Sequence, residues 1–163
     1  MSIEESAGFV VFRHDDKLGL CFLGLHVWGR YDLPKGHLDI DDFTSDNPYL
    51  ARAKKELAQE ASITIVHDEP SAPLDPLVPA ARMVMTDNFT CINKNKQGKV
   101  KKHVYLYIAE TEFEEPVPGV NEDGIQEHDF ARWIPVDELD KVQVVQYLIP
   151  GIKWAIAQFK NKS

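Results

Sequence analysis

Glu56 and Glu60 stand one helical turn apart with Arg52 one turn before them, so a helix through this segment projects all three charges from one side. The two carboxylates repel each other by roughly a few tenths of a kcal/mol on an isolated helix, and Arg52 offsets part of that. A hard divalent cation removes the conflict, because Mg²⁺ takes oxygen ligands in near-octahedral geometry and bridges carboxylates to substrate phosphates. A solvated helix face produces the same pattern, so the pair by itself leaves both readings open.

The helix that must carry these residues is well marked. Asn47 supplies a capping side chain and Pro48 a fixed φ for the first turn, which predicts a helix from Pro48 to Ala61. Leu50, Ala53, Leu57 and Ala61 then form an apolar face distinct from that of Arg52, Glu56 and Glu60. Before the helix lie the aromatic and glycine-bearing segment Trp28–His37 and the acidic stretch Asp39–Asp46, both expected as loop outside the core.

Short apolar runs predict strands over Ala7–Arg13 and Leu20–Leu25, joined by the polar turn His14–Lys17. Further strands are expected over Ile63–Val66, Arg82–Met85, Phe89–Ile92, Val100–Ala109 and Phe130–Ile134, and a second helix over Pro150–Lys160 with Ile152, Ile156 and Phe159 inward. The Asn93–Gly98 turn cluster makes a hairpin of the Phe89 and Val100 strands. Pro70, Pro73, Pro76 and Pro79 recur every third residue, which suits either an extended polyproline ligand segment or a surface loop.

Alternation along the Val100 strand puts Lys101, His103, Tyr105 and Tyr107 on one face and Lys102, Val104, Leu106 and Ile108 on the other. His103 and Tyr105 can therefore line one pocket, where tyrosine stacks on a purine, or belong to the core. Lys94, Lys96, Lys99, Lys101 and Lys102 either attract polyphosphate or solvate the turn.

The 163 residues suit a single domain with one core, and 44% hydrophobic content is ordinary for a globular chain. A formal charge of −8 repels nucleic-acid backbones and anionic membranes, which excludes bulk nucleic-acid binding and leaves phosphate to a local basic patch or a cation. Two cysteines, Cys21 and Cys91, sit in apolar runs and give no support to a disulfide framework or a zinc site. No secretory leader or membrane span is recognisable, so the chain is read as cytoplasmic.

The segments Leu33-Pro34-Lys35-Gly36-His37 and Ala51–Ile63 together resemble the Nudix box, in which a glycine loop precedes a helix with an Arg-Glu-aliphatic-any-Glu-Glu-any-Gly-aliphatic signature. Gly36 matches the leading glycine, Lys55 the arginine, Glu56 the first glutamate, Leu57 and Ile63 the aliphatics, and Glu60 the last glutamate. Gln59 stands at a glutamate position and offers only an amide oxygen. Ser62 replaces the terminal glycine, and Gly36 stands further from Lys55 than in the family. Asp42 keeps the count of the box acid from Gly36, whereas Asp46 or Asn47 is nearer the count from the helix; one of these aspartates bracing Lys55 is the expected substitute. Phe89 leading into the lysine-rich hairpin, Lys102-His103-Val104-Tyr105 and Glu127–Trp133 resemble the asymmetric diadenosine tetraphosphate hydrolase branch.

The resemblance implies a Nudix α/β fold, an α/β/α sandwich around a mixed β-sheet. It implies a metal site of Gly36, Glu56, Gln59 and Glu60 holding Mg²⁺, with Mn²⁺ an alternative. Glu127 becomes the expected general base, a box glutamate the competing one, and a solvated surface acid the bland reading of Glu127. Lys35, His37, Lys101, His103 and Tyr105 are expected at the substrate. The implied reaction is hydrolysis of a phosphoanhydride bond in a nucleotide, first of all a dinucleoside polyphosphate, by a monomer or homodimer. RNA 5′-pyrophosphate hydrolysis, diphosphoinositol polyphosphate hydrolysis and nucleotide binding without cleavage are the alternatives.

Overall fold

The computed structural model describes residues 3–162. β1 (Glu4–Asp15) is the central strand, and its residues from Ala7 to Phe12 are buried on both faces, as a strand between two layers requires. β8 (Val100–Thr111) runs parallel to it along Glu4–Phe12 and occupies one edge. The other edge is shared. β2 (Gly19–Val27) pairs there only over Phe12–Asp15, after a turn in which Asp15 accepts from the Lys17 and Leu18 N–H groups.

β1 and β2 then diverge, and the wedge between them admits two short strands. β3 (Arg30–Asp32) pairs with the far end of β2, and β4 (Lys35–His37) pairs with Ser6–Gly8 of β1. The segment expected as loop is thus held in the sheet, and Leu33 and Pro34 between the strands are buried. Three-residue strands offer too few positions for an alternation to be read.

β8 pairs with β7 (Phe89–Lys94) in its first half and with β6 (Ala80–Met83) in its last residues. β5 (Thr64–His67) runs parallel to β6, and β9 (Phe130–Pro135) covers the outer edge of β2. The sheet is mixed. The expected strand boundaries shift by up to three residues, and Ile63 falls into the core instead of opening its strand.

α1 (Pro48–Ala61) packs on one face of the sheet and α2 (Ile149–Asn161) on the other. Ala53, Leu57 and Ala61 meet Phe9, Val11, Leu23 and Tyr107, whereas Ile152, Ala155 and Phe159 meet Val10, Phe12, Leu106 and Ile108. Odd and even residues of β1 therefore serve opposite layers. Each fully buried Phe or Leu contributes about 1.5–3 kcal/mol, so this double-sided core fixes the position of α1 relative to the wedge.

α1 has the expected bounds, with Asn47 Oδ1 accepting from the Leu50 N–H at 3.2 Å. It ends at Ser62, which adopts a left-handed conformation with φ 58°. The proline ladder is not one extended segment, because turns closed by the Ala72 N–H on Glu69 O and the Val78 N–H on Asp75 O interrupt it. Cys21 and Cys91 are buried free thiols. Among the described residues no helix is long and apolar enough to cross a membrane.

Candidate active site

Glu56 and Glu60 are only 8% and 7% exposed, which removes the solvated-face reading of the pair. Burial raises the pKa of both carboxyls; that of Glu60 reaches about 9, with Glu56 nearby adding to the rise and the Lys35 N–H opposing it. Lys35 donates that N–H to Glu60 Oε1 at 2.8 Å, tying the helix to β4. Glu56 is tied to the same strand by close packing. A Cβ on Gly36 would lie 2.2 Å from the Glu56 carboxyl carbon, so only glycine lets the carboxylate rest there.

The acidic stretch before α1 contributes a core residue, contrary to the expectation that it stays outside. The 3₁₀ turn Ile40–Thr44 is capped by Asp39 and returns the side chain of Asp42 to the Asp39 N–H, leaving Asp42 fully buried. Arg52 Nε donates to Asp42 Oδ2 at 2.7 Å and Lys55 Nζ to Asp42 Oδ1 at 2.8 Å. Burial pushes the Asp42 pKa up, but the Asp39 N–H, Lys55 and Arg52 outweigh it and hold the pKa at about 2. Arg52 Nη1 also donates to Glu56 Oε1 at 3.1 Å, so one guanidinium links the buried aspartate to the outer carboxylate.

Glu56 and Glu60 line a cleft of about 710 Å³, large enough for a small-molecule ligand. Gly36, Gln59, Lys35 and His37 line it with them, as do Arg30, Asp32 and Lys102. Lys35 Nζ lies 3.4 Å from Asp32 Oδ2, and although burial lowers the pKa of the lysine, Asp32 leads the groups that raise it overall. Burial and the neighbouring Lys35 lower the pKa of Lys102. The pKa of His37 also falls, through burial and Lys102.

The loop before β9 closes the cleft with Ile125, Gln126, Glu127 and His128. Asn121 organises it, donating Nδ2 to Glu127 Oε1 at 3.0 Å and accepting from the Asp123 and Ile125 N–H groups. The loop sits directly on the end of α1, where the Gly119 N–H bonds to Glu60 O and a Cβ on Gly119 would collide with Gln59 O. His128 is buried, with Nδ1 3.9 Å from Glu60 Oε2, and burial lowers its pKa.

No protein-family profile matches the chain, and no curated protein matches it in sequence. Solved structures do match. A Caenorhabditis elegans Ap4A hydrolase in a binary complex superposes with a TM-score of 0.65 at 20% identity, covering 99% of this chain and 100% of that one. This chain has the Nudix fold. The NUDIX domain of Shewanella oneidensis NrtR, in complex with ADP ribose, matches with a TM-score of 0.63 at 14% identity over 99% of this chain and 89% of that one. The Escherichia coli dihydroneopterin triphosphate pyrophosphohydrolase matches with a TM-score of 0.60 at 13% identity over the full length of both.

Within the Nudix fold the lengthened stretch between Gly36 and the helix is the 3₁₀ turn that delivers Asp42. Lys55 meets Asp42, as the count from Gly36 anticipates, but it shares the aspartate with Arg52, which alone also reaches Glu56. Among the described residues no three His, Cys, Asp or Glu side chains converge into a preformed metal cage. Two buried carboxylates beside a glycine backbone suit a cation that keeps several waters and shares phosphate oxygens.

Seven of the expected site residues, Lys35, Gly36, His37, Glu56, Gln59, Glu60 and Glu127, line the same cleft. Lys101, His103 and Tyr105 do not line it. They occupy the face of β8 shared with Tyr107 and α1, where Tyr105 packs on Tyr49 and donates to Glu5 Oε2 at 2.9 Å. The opposite face of the strand presents Lys102 to the cleft. Lys102 is one of the lysines expected to attract polyphosphate, whereas Arg30, Asp32, Gln126 and His128 have no role in the sequence pattern; His128 stands inside the Glu127-His128-Asp129 motif, and only its burial sets it apart.

Proposed function

We propose that this chain is a Nudix hydrolase that cleaves a phosphoanhydride bond in a nucleoside polyphosphate, with a dinucleoside polyphosphate as first substrate class. The observation that carries the reading is the burial of Glu56 and Glu60 beside Gly36 in a cleft that also presents Lys35 and Lys102. Taking two carboxylates out of water is costly unless a positive charge joins them. A cleft lined by both acids and lysines offers cation ligands and phosphate contacts together.

Glu56 and Glu60, with the Gly36 backbone carbonyl and the Gln59 amide oxygen, are the groups that would hold Mg²⁺ or Mn²⁺. A cation there supplies charge neutralisation of the phosphate chain and a bound water of lowered pKa. Arg52 holds the Glu56 carboxylate in place from Asp42. Lys35, Lys102, Arg30 and His37 receive phosphate oxygens. Glu127, oriented by Asn121, accepts the proton of the attacking water. The full-length match to a structure named as an Ap4A hydrolase supports the dinucleoside polyphosphate class, and the match to a dihydroneopterin triphosphate pyrophosphohydrolase supports the bond type.

The test is a Mg²⁺-dependent screen of dinucleoside polyphosphates, 5′-triphosphorylated RNA and diphosphoinositol polyphosphates, with products resolved by chromatography. Fastest turnover of a dinucleoside polyphosphate is expected. Preference for either other class overturns the substrate, and tight nucleotide binding with no turnover of any of the three overturns the enzyme.

A further inference from the structure

Trp28 is the most exposed large hydrophobic residue described, at 88%, and it lines the mouth of the cleft. Its backbone is as unusual as its exposure. Val27 and Arg30 pair as the last rung of the β2–β3 hairpin, which leaves Trp28 and Gly29 as a two-residue loop with φ 54° and φ 72°. Positive φ at both central positions is the pattern of a type I′ turn, for which Asn-Gly is the favoured sequence. A bulky residue in the first position is strained. The indole makes no ring stack among the described residues, so neither turn geometry nor packing accounts for it.

The surroundings indicate what it meets. The cleft wall is rich in ionisable groups, with Arg30, Asp32, Lys35, Glu56, Glu60 and Lys102 among them, and Ile125, 58% exposed, is the other exposed large apolar side chain in its lining. Ile125 is presented by the loop that Asn121 pins. A ligand that fits such a cleft carries anionic groups inside and a flat apolar group at the mouth.

We propose that Trp28 is a stacking platform for the nucleobase of the substrate, with Ile125 as a second apolar contact, so that the site selects base-bearing polyphosphates over base-free ones. This rests on the phosphate-binding reading of the cleft given above and adds the class of group attached to the phosphates. An indole face stacks any base, which gives selectivity for a nucleoside without selectivity among bases. Inositol and inorganic polyphosphates gain nothing from the contact.

The experiment compares two non-hydrolysable ligands that differ only by the nucleoside, adenosine 5′-(α,β-methylene)diphosphate and methylenediphosphonate, binding to the full chain in Mg²⁺. Trp28→Asn restores the favoured turn sequence, so this variant is expected to melt at a higher temperature than the native chain. Its affinity for the nucleotide should fall about tenfold, the order expected for one lost stack, with affinity for methylenediphosphonate unmoved. Trp28→Phe should recover most of the loss, and nucleotide but not diphosphonate should quench the native fluorescence through Trp28. Unchanged nucleotide affinity in Trp28→Asn, with both ligands still bound, overturns the platform alone. A native chain that binds neither ligand overturns the phosphate site and the platform together.

Discussion

The floor and the rim of the cleft are built on opposite principles. On the floor, Asp42, Arg52, Lys55 and Glu56 form a bonded chain of charges, and Glu60 is fastened to a backbone N–H of β4. At the rim, Trp28 stands on a strained two-residue turn and Glu127 is an exposed side chain held through Asn121. The floor fixes charge where the proposed cation would be gripped with small tolerance, whereas the rim sits on loops, which can vary without disturbing the core. Chemistry should therefore be lost by changes on the floor, and substrate preference altered by changes at the rim.

Glu127 is the exception that tests this division, since it is a rim residue for which a chemical task is proposed. Glu127→Gln should lower kcat by about 10²–10⁴ with little change in KM, as measured by steady-state product release. A loss of only a few-fold would return the base to a glutamate of the floor.

Arg52→Lys breaks the floor with less violence, because lysine keeps the charge and loses the fork that reaches both Asp42 and Glu56. The apparent Mg²⁺ affinity should weaken by about 10–100-fold. Lys55→Ala, which removes a side chain that bonds to Asp42 alone, should cost less. Equal effects at the two positions would deny Arg52 its positioning role.

The raised Glu60 pKa gives the metal-free floor a distinctive pH response. The folded state holds a proton on Glu60 up to about pH 9 that the unfolded chain releases near the ordinary carboxylate range, so stability falls as pH rises. His128 and His37 have lowered pKa values and act in the opposite sense, but their effect is complete by about pH 7. In chelator, Tm should therefore decline between about pH 7 and pH 9, and Glu60→Gln should flatten the decline. A slope unchanged by that variant would contradict the burial of this charge.

The smallest effect is expected at the end of α1. Ser62 holds φ 58°, a conformation that glycine adopts without strain, so Ser62→Gly should stabilise the chain by about 1 kcal/mol in denaturant titration. Activity should be unchanged.

The parts of this molecule that were legible in sequence are those with a repeating or local signal. α1 was readable to the residue because its cap, its proline and its apolar spacing agree, and β1, β2 and the β7–β8 hairpin followed from apolar runs and a turn cluster. β3 and β4 were hidden because they form only where β1 and β2 part, which is a property of pairing and not of their own composition. The count from Gly36 makes Asp42 a candidate partner of Lys55, but its burial and its bond to Arg52 are not readable, since they depend on the 3₁₀ turn folding back beneath that arginine. Lys102 and Lys101 differ in sequence only by parity, and parity alone could not say which face of β8 meets the cleft.

Binding of the divalent cation by Glu56 and Glu60 is what the proposed hydrolysis depends on most. It is tested most directly by following diadenosine tetraphosphate hydrolysis against Mg²⁺ concentration for the native chain and Glu60→Gln side by side, with circular dichroism confirming that both are folded. Saturable, Mg²⁺-dependent turnover by the native chain, absent from the variant, is expected. Native turnover that persists undiminished in chelator, or a folded Glu60→Gln that retains full activity, would contradict it.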